Sequence, residues 1–173
     1  MAVILLRHTR PAVAEGTCYG RTDLPLAPCF AAEAARLTAT LPPLAHVVTS
    51  PLSRCHRLAA AIATARDLPL ATDSRLIEMD FGRWEGLPWD AIPRPELDAW
   101  AEDLLHASPH GGETVADLAA RTHAALADLA RGPRPALAVT HAGVIKAARA
   151  ARQGAEAWQT TLPFGGWEEV PGL

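Results

Sequence analysis

The chain lacks any apolar run approaching the roughly 20 residues needed to span a bilayer, so no membrane-crossing helix is expected. Cysteine is scarce. Cys18, Cys29 and Cys55 are odd in number and show no close pairing, which fits free thiols in a reducing compartment better than a disulfide framework. Neither C-x-x-C nor H-E-x-x-H spacing occurs among them and the seven histidines, and Pro109 and Gly111 break the helix that would align His106 with His110. No metal site is expected. An excess of positive charge is also missing: 16 basic against 19 acidic residues give a formal net charge of -3, so no basic footprint for nucleic acid exists and any polyanion-binding surface must be local. The absence of G-x-x-x-x-G-K-[ST] removes the usual nucleotide-triphosphatase reading. Met1 leads straight into an apolar strand with no signal-peptide pattern, which predicts a cytoplasmic protein.

What remains is ordinary globular material. A length of 173 residues and a composition 49% hydrophobic and 20% charged predict one domain over 1–173 with one substantial core. Alternation of strand and helix organises it. Ala2 to Leu6 read as a buried parallel strand, and after a Gly/Pro-punctuated loop over 11–28 the alanine-rich "CFAAEAARLTATL" reads as a helix ended by Pro42-Pro43. Val47, Val48 and Thr49 form a second strand, followed by Ser50 as N-cap, Pro51 at the first helical position and a helix to about Arg66. "LATDSRLIEMDFGRWEG" begins as a short strand and turns irregular at Gly82. Residues 87–110, with four prolines, two tryptophans and only short helical pieces, read as an insertion covering a site. From Glu113 to Arg131, Val115, Leu118, Ala125, Leu126 and Leu129 recur at helical spacing. "PALAVTHAGVIKAARAAR" is a third strand-turn-helix unit, and "LPFGGWEEV" supplies a last strand. The fold class expected is α/β, with a mostly parallel sheet covered on both faces.

The first strand ends abruptly in charge: Arg7, His8 and Arg10 arrive within four positions, and Pro11 stops the ladder. In open α/β sheets, ligands bind beyond the carboxyl ends of the strands, so residues just past each strand belong together. The first strand delivers Arg7 and His8, the second is followed by Arg54, the third gives Glu78 after "RLI", and "ALAVT" delivers His141 with Ala142-Gly143. Two arginines, two histidines and one carboxylate suit a phosphate monoester. Guanidiniums offer bidentate hydrogen bonds to phosphoryl oxygens, helix N-termini near Ser50 and Gly143 add N–H groups, and an unprotonated His8 nitrogen supplies a nucleophile. Asp80 and Glu85 rival Glu78 as the carboxylate, and the spacing to Gly82 favours Glu78. Glu113 either lines the site or begins its helix. Arg10, Arg21, Tyr19 and Gly20 border the expected phosphate position, where loop and turn roles compete with substrate contact. Trp84, Trp89 and Trp100 either stack on an aromatic group or pack the insertion. Cysteine chemistry is excluded: "GTCYG" lacks the flanking strand and helix of a nucleophile elbow, and no arginine stands six positions after any cysteine.

At this point the motifs "LLRHTRP", "SPLSRCHRLAAAIA", "LIEMDFGRWEG", "GGETVADLAAR" and "VTHAG" resemble, in order, those of the histidine phosphatase superfamily, which contains the phosphoglycerate mutases. The resemblance spans residues 1 to about 148 and implies a three-layer α/β/α sandwich. It implies that His8 becomes phosphohistidine, that Arg7, Arg54 and His141 hold phosphoryl oxygens, and that Glu78 is the general acid. No cofactor or metal is implied. "RHT" followed by "GTCYGRTDLPLA" is similar to the α-ribazole phosphatase branch of cobalamin synthesis, although His8-Thr9-Arg10 replaces the common "RHG" with its following acidic residue, adding a cation beside the site, and Leu26-Ala27-Pro28-Cys29-Phe30 replaces the usual "LT-x-x-G". A small-molecule phosphate monoester is the expected partner, to the exclusion of nucleic acid and membrane, with a homodimer left open. A broad small-molecule phosphatase, a mutase, and a phospho-ligand binder without turnover stand as alternatives.

Overall fold

The computed structural model describes residues 2–171. Its elements run β1 (Ala2–Arg7), α1 (Phe30–Thr40), β2 (His46–Thr49), α2 (Ser53–Arg66), β3 (Leu70–Thr72), α3 (Arg94–Glu102), α4 (Val115–Arg131), β4 (Ala136–Thr140), α5 (Ala142–Gln153) and β5 (Trp167–Pro171). The strands form one sheet in the order β3-β2-β4-β1-β5; β5 pairs antiparallel with β1 and every other pairing is parallel. No described helix is long and apolar enough to cross a membrane.

Alternation along β1 sorts the core into two layers. Val3 and Leu5 face Leu118, Leu126, Val144 and Ala148 of α4 and α5, while Ile4 and Leu6 face Leu37, Leu58 and Ile62 of α1 and α2. A central parallel strand is buried on both faces, which is why its sequence is continuously apolar until the charged end. This is the three-layer α/β/α sandwich expected from the sequence.

Three local expectations are corrected. Helix α2 starts at Ser53, not Pro51, because the Ser50 hydroxyl lies 2.8 Å from His141 Nε2, and Asp23 from a distant loop accepts from Ser53 N at 2.9 Å and Ser53 Oγ at 2.8 Å. Helix α4 starts at Val115, with the Thr114 hydroxyl accepting from Asp117 N at 3.1 Å, so Glu113 lies outside it. "RLI" is no strand: Asp73 accepts from Arg75 N at 2.9 Å and turns Ser74–Leu76 into one 3₁₀ turn, so Glu78 follows a turn past β3.

Candidate active site

The carboxyl end of β1 is fixed between its neighbours. His8 N donates to Thr140 O at 3.0 Å, and Gly165 N donates to the carbonyls of Arg7 and His8, each at 3.2 Å. His8 is 2% exposed, and its Nδ1 lies 2.7 Å from Thr9 O. A carbonyl only accepts, so Nδ1 carries the proton and Nε2 keeps a free lone pair. Burial, with the Arg54 and Arg7 charges behind it, lowers the imidazole pKa to about 3, so the ring is neutral. His141 caps α5; its ring centroid is 5.1 Å from that of His8, and burial holds its pKa well below the ordinary histidine value.

Two guanidiniums flank this pair. Arg54, wholly buried on the first turn of α2, gives Nη1 to Thr22 O at 2.8 Å and Nη2 to Gly20 O at 2.5 Å, and its Nε has no partner. Arg7 gives Nη1 to Leu162 O at 2.6 Å, lies with Cζ 3.9 Å from the Phe164 ring centroid, and also has a buried, unpartnered Nε. Among the described residues, neither pairs with a carboxylate. Burying a charge against carbonyls alone is costly, so the two arginines describe an anion site.

Glu78 is held by backbone donors, Oε1 accepting from Met79 N at 2.9 Å and Oε2 from Gly143 N at 3.1 Å. Glycine at 143 leaves room for the carboxylate, since a Cβ there would lie 2.3 Å from Glu78 Oε1 and push it aside. Arg121 fixes the segment carrying Glu78. It donates to Arg75 O at 2.7 Å, Ile77 O at 2.5 Å and Glu78 O at 3.1 Å, and binds Glu113 through two nitrogens at 2.6 and 2.8 Å. The rival carboxylates are occupied. Glu85 accepts from Arg21 N, Thr22 N and the Thr22 hydroxyl, and Asp80 accepts from Gly82 N at 2.8 Å.

A neutral imidazole with a bare nitrogen, two unpaired guanidiniums and a positioned carboxylate thus share one strand edge. Residues 3–164 match the family model of the histidine phosphatase superfamily (branch 1). The chain belongs to that superfamily. A probable phosphoglycerate mutase of Klebsiella pneumoniae is 34% identical over 151 residues, covering 82% of this chain and 69% of that protein. The glucosyl-3-phosphoglycerate phosphatase of Mycolicibacterium vanbaalenii is 31% identical over 99% of this chain and 79% of its own length. Among solved structures, the α-ribazole phosphatase from Shigella flexneri superposes with a TM-score of 0.85 at 26% identity, covering 99% of this chain and 90% of that one. The mycobacterial glucosyl-3-phosphoglycerate phosphatase with bound VO3 gives 0.85 at 29% identity, covering 98% and 92%. The protein is a phosphoric monoester hydrolase of the histidine phosphatase superfamily.

In this histidine phosphatase the site opens into a cavity of about 610 Å³. Arg7, His8, Arg10, Tyr19, Glu78 and Ala142 line it, while the wholly buried His141 lies behind His8, and Arg54 lies with Cζ 5.4 Å from the Tyr19 ring centroid. Besides Arg54 and His141, two further expected contacts do not line the cavity. Arg21 turns to Asp80 at 3.6 Å and Glu113 at 3.5 Å, and Gly20 packs so tightly that a Cβ would meet Met79 O at 1.8 Å, its carbonyl serving Arg54 instead. Glu113 neither lines the cavity nor begins its helix; it is the partner of Arg121. Of the tryptophans, Trp89 and Trp100 line the cavity with rings 13° from parallel, whereas Trp84 is buried and donates Nε1 to Glu96 at 2.7 Å. Sequence reasoning missed Lys146, Trp158, Thr161 and Phe164, all of which line the cavity. Lys146 was accessible to it, standing one helical turn past Gly143.

Proposed function

We propose that the protein hydrolyses phosphate monoesters without a metal, through a phosphohistidine formed on His8. The observation that carries this reading is the wholly buried Arg54 guanidinium and the partly buried Arg7 guanidinium, neither with a carboxylate partner among the described residues, beside a neutral imidazole. A phosphoryl dianion balances their charge and accepts from their unused nitrogens. His8 Nε2 forms a bond to phosphorus as the ester P–O bond breaks, and the Glu78 proton passes to the leaving oxygen. Water then attacks phosphorus, its proton passes to Glu78, the P–N bond breaks and inorganic phosphate leaves. Arg7, Arg54 and His141 surround the phosphoryl oxygens, so positioned donors carry the charge stabilisation.

For the natural substrate we propose α-ribazole 5′-phosphate, which would place the enzyme in cytoplasmic cobalamin synthesis. The fold likeness to the Shigella flexneri enzyme and the Trp89–Trp100 wall support a flat aromatic alcohol. A phosphorylated hydroxy acid is the second reading, favoured by the near full-length similarity to a glucosyl-3-phosphoglycerate phosphatase. The test is phosphate release in excess chelator from an aryl phosphate, α-ribazole 5′-phosphate and phosphoglycerate, with alkaline quenching to trap labelled phosphohistidine. Turnover with a label on His8 is expected. Binding of phosphate esters without release would make the protein a binder, and turnover that ceases in chelator would reject the metal-free route.

A further inference from the structure

Of the 16 basic residues only one is a lysine, Lys146, and it lines the cavity. It stands three residues past Gly143 on α5, so its side chain leaves the helix on the face whose preceding turn binds Glu78 Oε2. Lys146 is half-buried, and among the described residues it makes no ion pair or side-chain hydrogen bond. Burial lowers its pKa from the ordinary lysine value, with the Glu78 charge pulling it back up. A phosphoryl dianion on Arg7 and Arg54 already accounts for two positive charges. An alcohol filling the rest of the cavity would strip water from the ammonium, and most of the other walls are apolar: Met79, Phe81, Leu104, Val115, Leu118 and Trp158. Without an acceptor from the substrate, that desolvation opposes binding.

We propose that Lys146 is a specificity-determining residue that binds an oxygen acceptor on the leaving alcohol, close to the ester bond and on the Glu78 side. The cavity therefore takes polyol or hydroxy-acid phosphates in preference to plain aryl or alkyl ones. A sugar hydroxyl and a carboxylate both supply the required acceptor. This rests on the phosphatase reading above.

The test compares wild type, Lys146→Met and Lys146→Arg on phenyl phosphate, ribose 5-phosphate and 3-phosphoglycerate. Lys146→Met is expected to lower kcat/KM for at least one oxygenated ester, relative to phenyl phosphate, by about tenfold to hundredfold, mostly through KM, with Lys146→Arg restoring much of the ratio. Loss confined to 3-phosphoglycerate assigns a carboxylate, and loss on ribose 5-phosphate assigns a hydroxyl. Unchanged ratios, or a wild type active on phenyl phosphate alone, overturn the proposal. A wild type releasing phosphate from none of the three instead overturns the phosphatase reading itself.

Discussion

The sheet-edge side of the cavity and the side formed by residues 79–104 are built in opposite ways. At the sheet edge, Arg7, His8, Arg54 and His141 each stand within a residue or two of a strand or helix end, and backbone bonds such as His8 N to Thr140 O and Ser50 N to Val139 O, both 3.0 Å, fix those ends. Opposite them, Phe81, Trp89 and Trp100 come from short turns and one short helix, held by ring-edge contacts and loop bonds such as Cys18 N to Leu87 O and Trp89 N to Gly16 O, both 2.8 Å. Chemistry that fails with small displacements sits where the backbone is over-determined. Choice of alcohol sits where sequence can change without disturbing the sheet.

If that division holds, the largest losses come from the sheet edge. His8→Ala removes the nucleophile and should lower kcat by at least about 10⁴-fold while abolishing the labelled phosphoenzyme, read by rapid quench. Glu78→Gln keeps the backbone donors but has no proton to give, so single-turnover alcohol release should slow by about 10²–10⁴-fold. Inorganic phosphate, held by the arginines, should still bind the Glu78→Gln protein in calorimetry. Loss of phosphate binding there would mean that Glu78 holds the anion site together.

Arg121 tests whether the edge extends below the surface. It touches no cavity space, yet its donors tie down the carbonyls of residues 75, 77 and 78 and the Glu113 carboxylate. Arg121→Met should cost about 3 kcal/mol of stability by leaving Glu113 with the half-exposed Arg21 and one long bond from Asp80 N, seen as a lower denaturant midpoint. Its kcat should fall more than its KM rises, because Glu78 loses its aim, and Arg121→Lys should not restore it, since the three donors of an ammonium cannot serve five acceptor atoms.

The same burial that keeps His8 neutral gives the fold a pH dependence. Its pKa is about 3 when folded and near 6.5 when unfolded, so between those values the unfolded chain binds more protons and stability falls as pH falls. His141 acts in the same direction. His8→Asn should flatten the decline in thermal midpoint between pH 6.5 and 4; an unchanged slope would show that His8 stays accessible to protons.

Much of the sheet edge was legible in the sequence because charge stops an apolar strand there, and because Val115, Leu118, Ala125, Leu126 and Leu129 announce α4 by period alone. Legibility failed where a partner lies far along the chain. Arg21 reads as a free loop cation until Asp80 and Glu113 fold beside it, and Ser50 reads as a plain helix cap, whereas its hydroxyl, besides accepting from Leu52 N at 3.4 Å, also meets His141. Phe164 lies in a segment with no helical or strand period, delivered to the cavity by Gly165 bonding to the carbonyls of Arg7 and His8, and Trp158 stands on a single 3₁₀ segment, Ala155–Gln159. Local pattern carries no record of such contacts.

The smallest effect expected belongs to the wall facing the sheet edge, and it discriminates between substrates. Trp84 is 1% exposed and its indole nitrogen is bonded, so truncating it would damage the wall; Trp89 is partly exposed and lines the cavity, so truncating it removes a face without emptying the core. Stacking on one indole contributes about 1–2 kcal/mol. Trp89→Ala should therefore raise KM for an aromatic alcohol such as α-ribazole 5′-phosphate by about 5–30-fold with kcat little changed, and Trp89→Phe should recover most of it. Phosphoglycerate has no ring to stack and should shift less than about threefold. Equal losses on both substrates would mean that the indole acts by shaping the cavity, and the separation between a chemical edge and a selecting wall would then fail at Trp89.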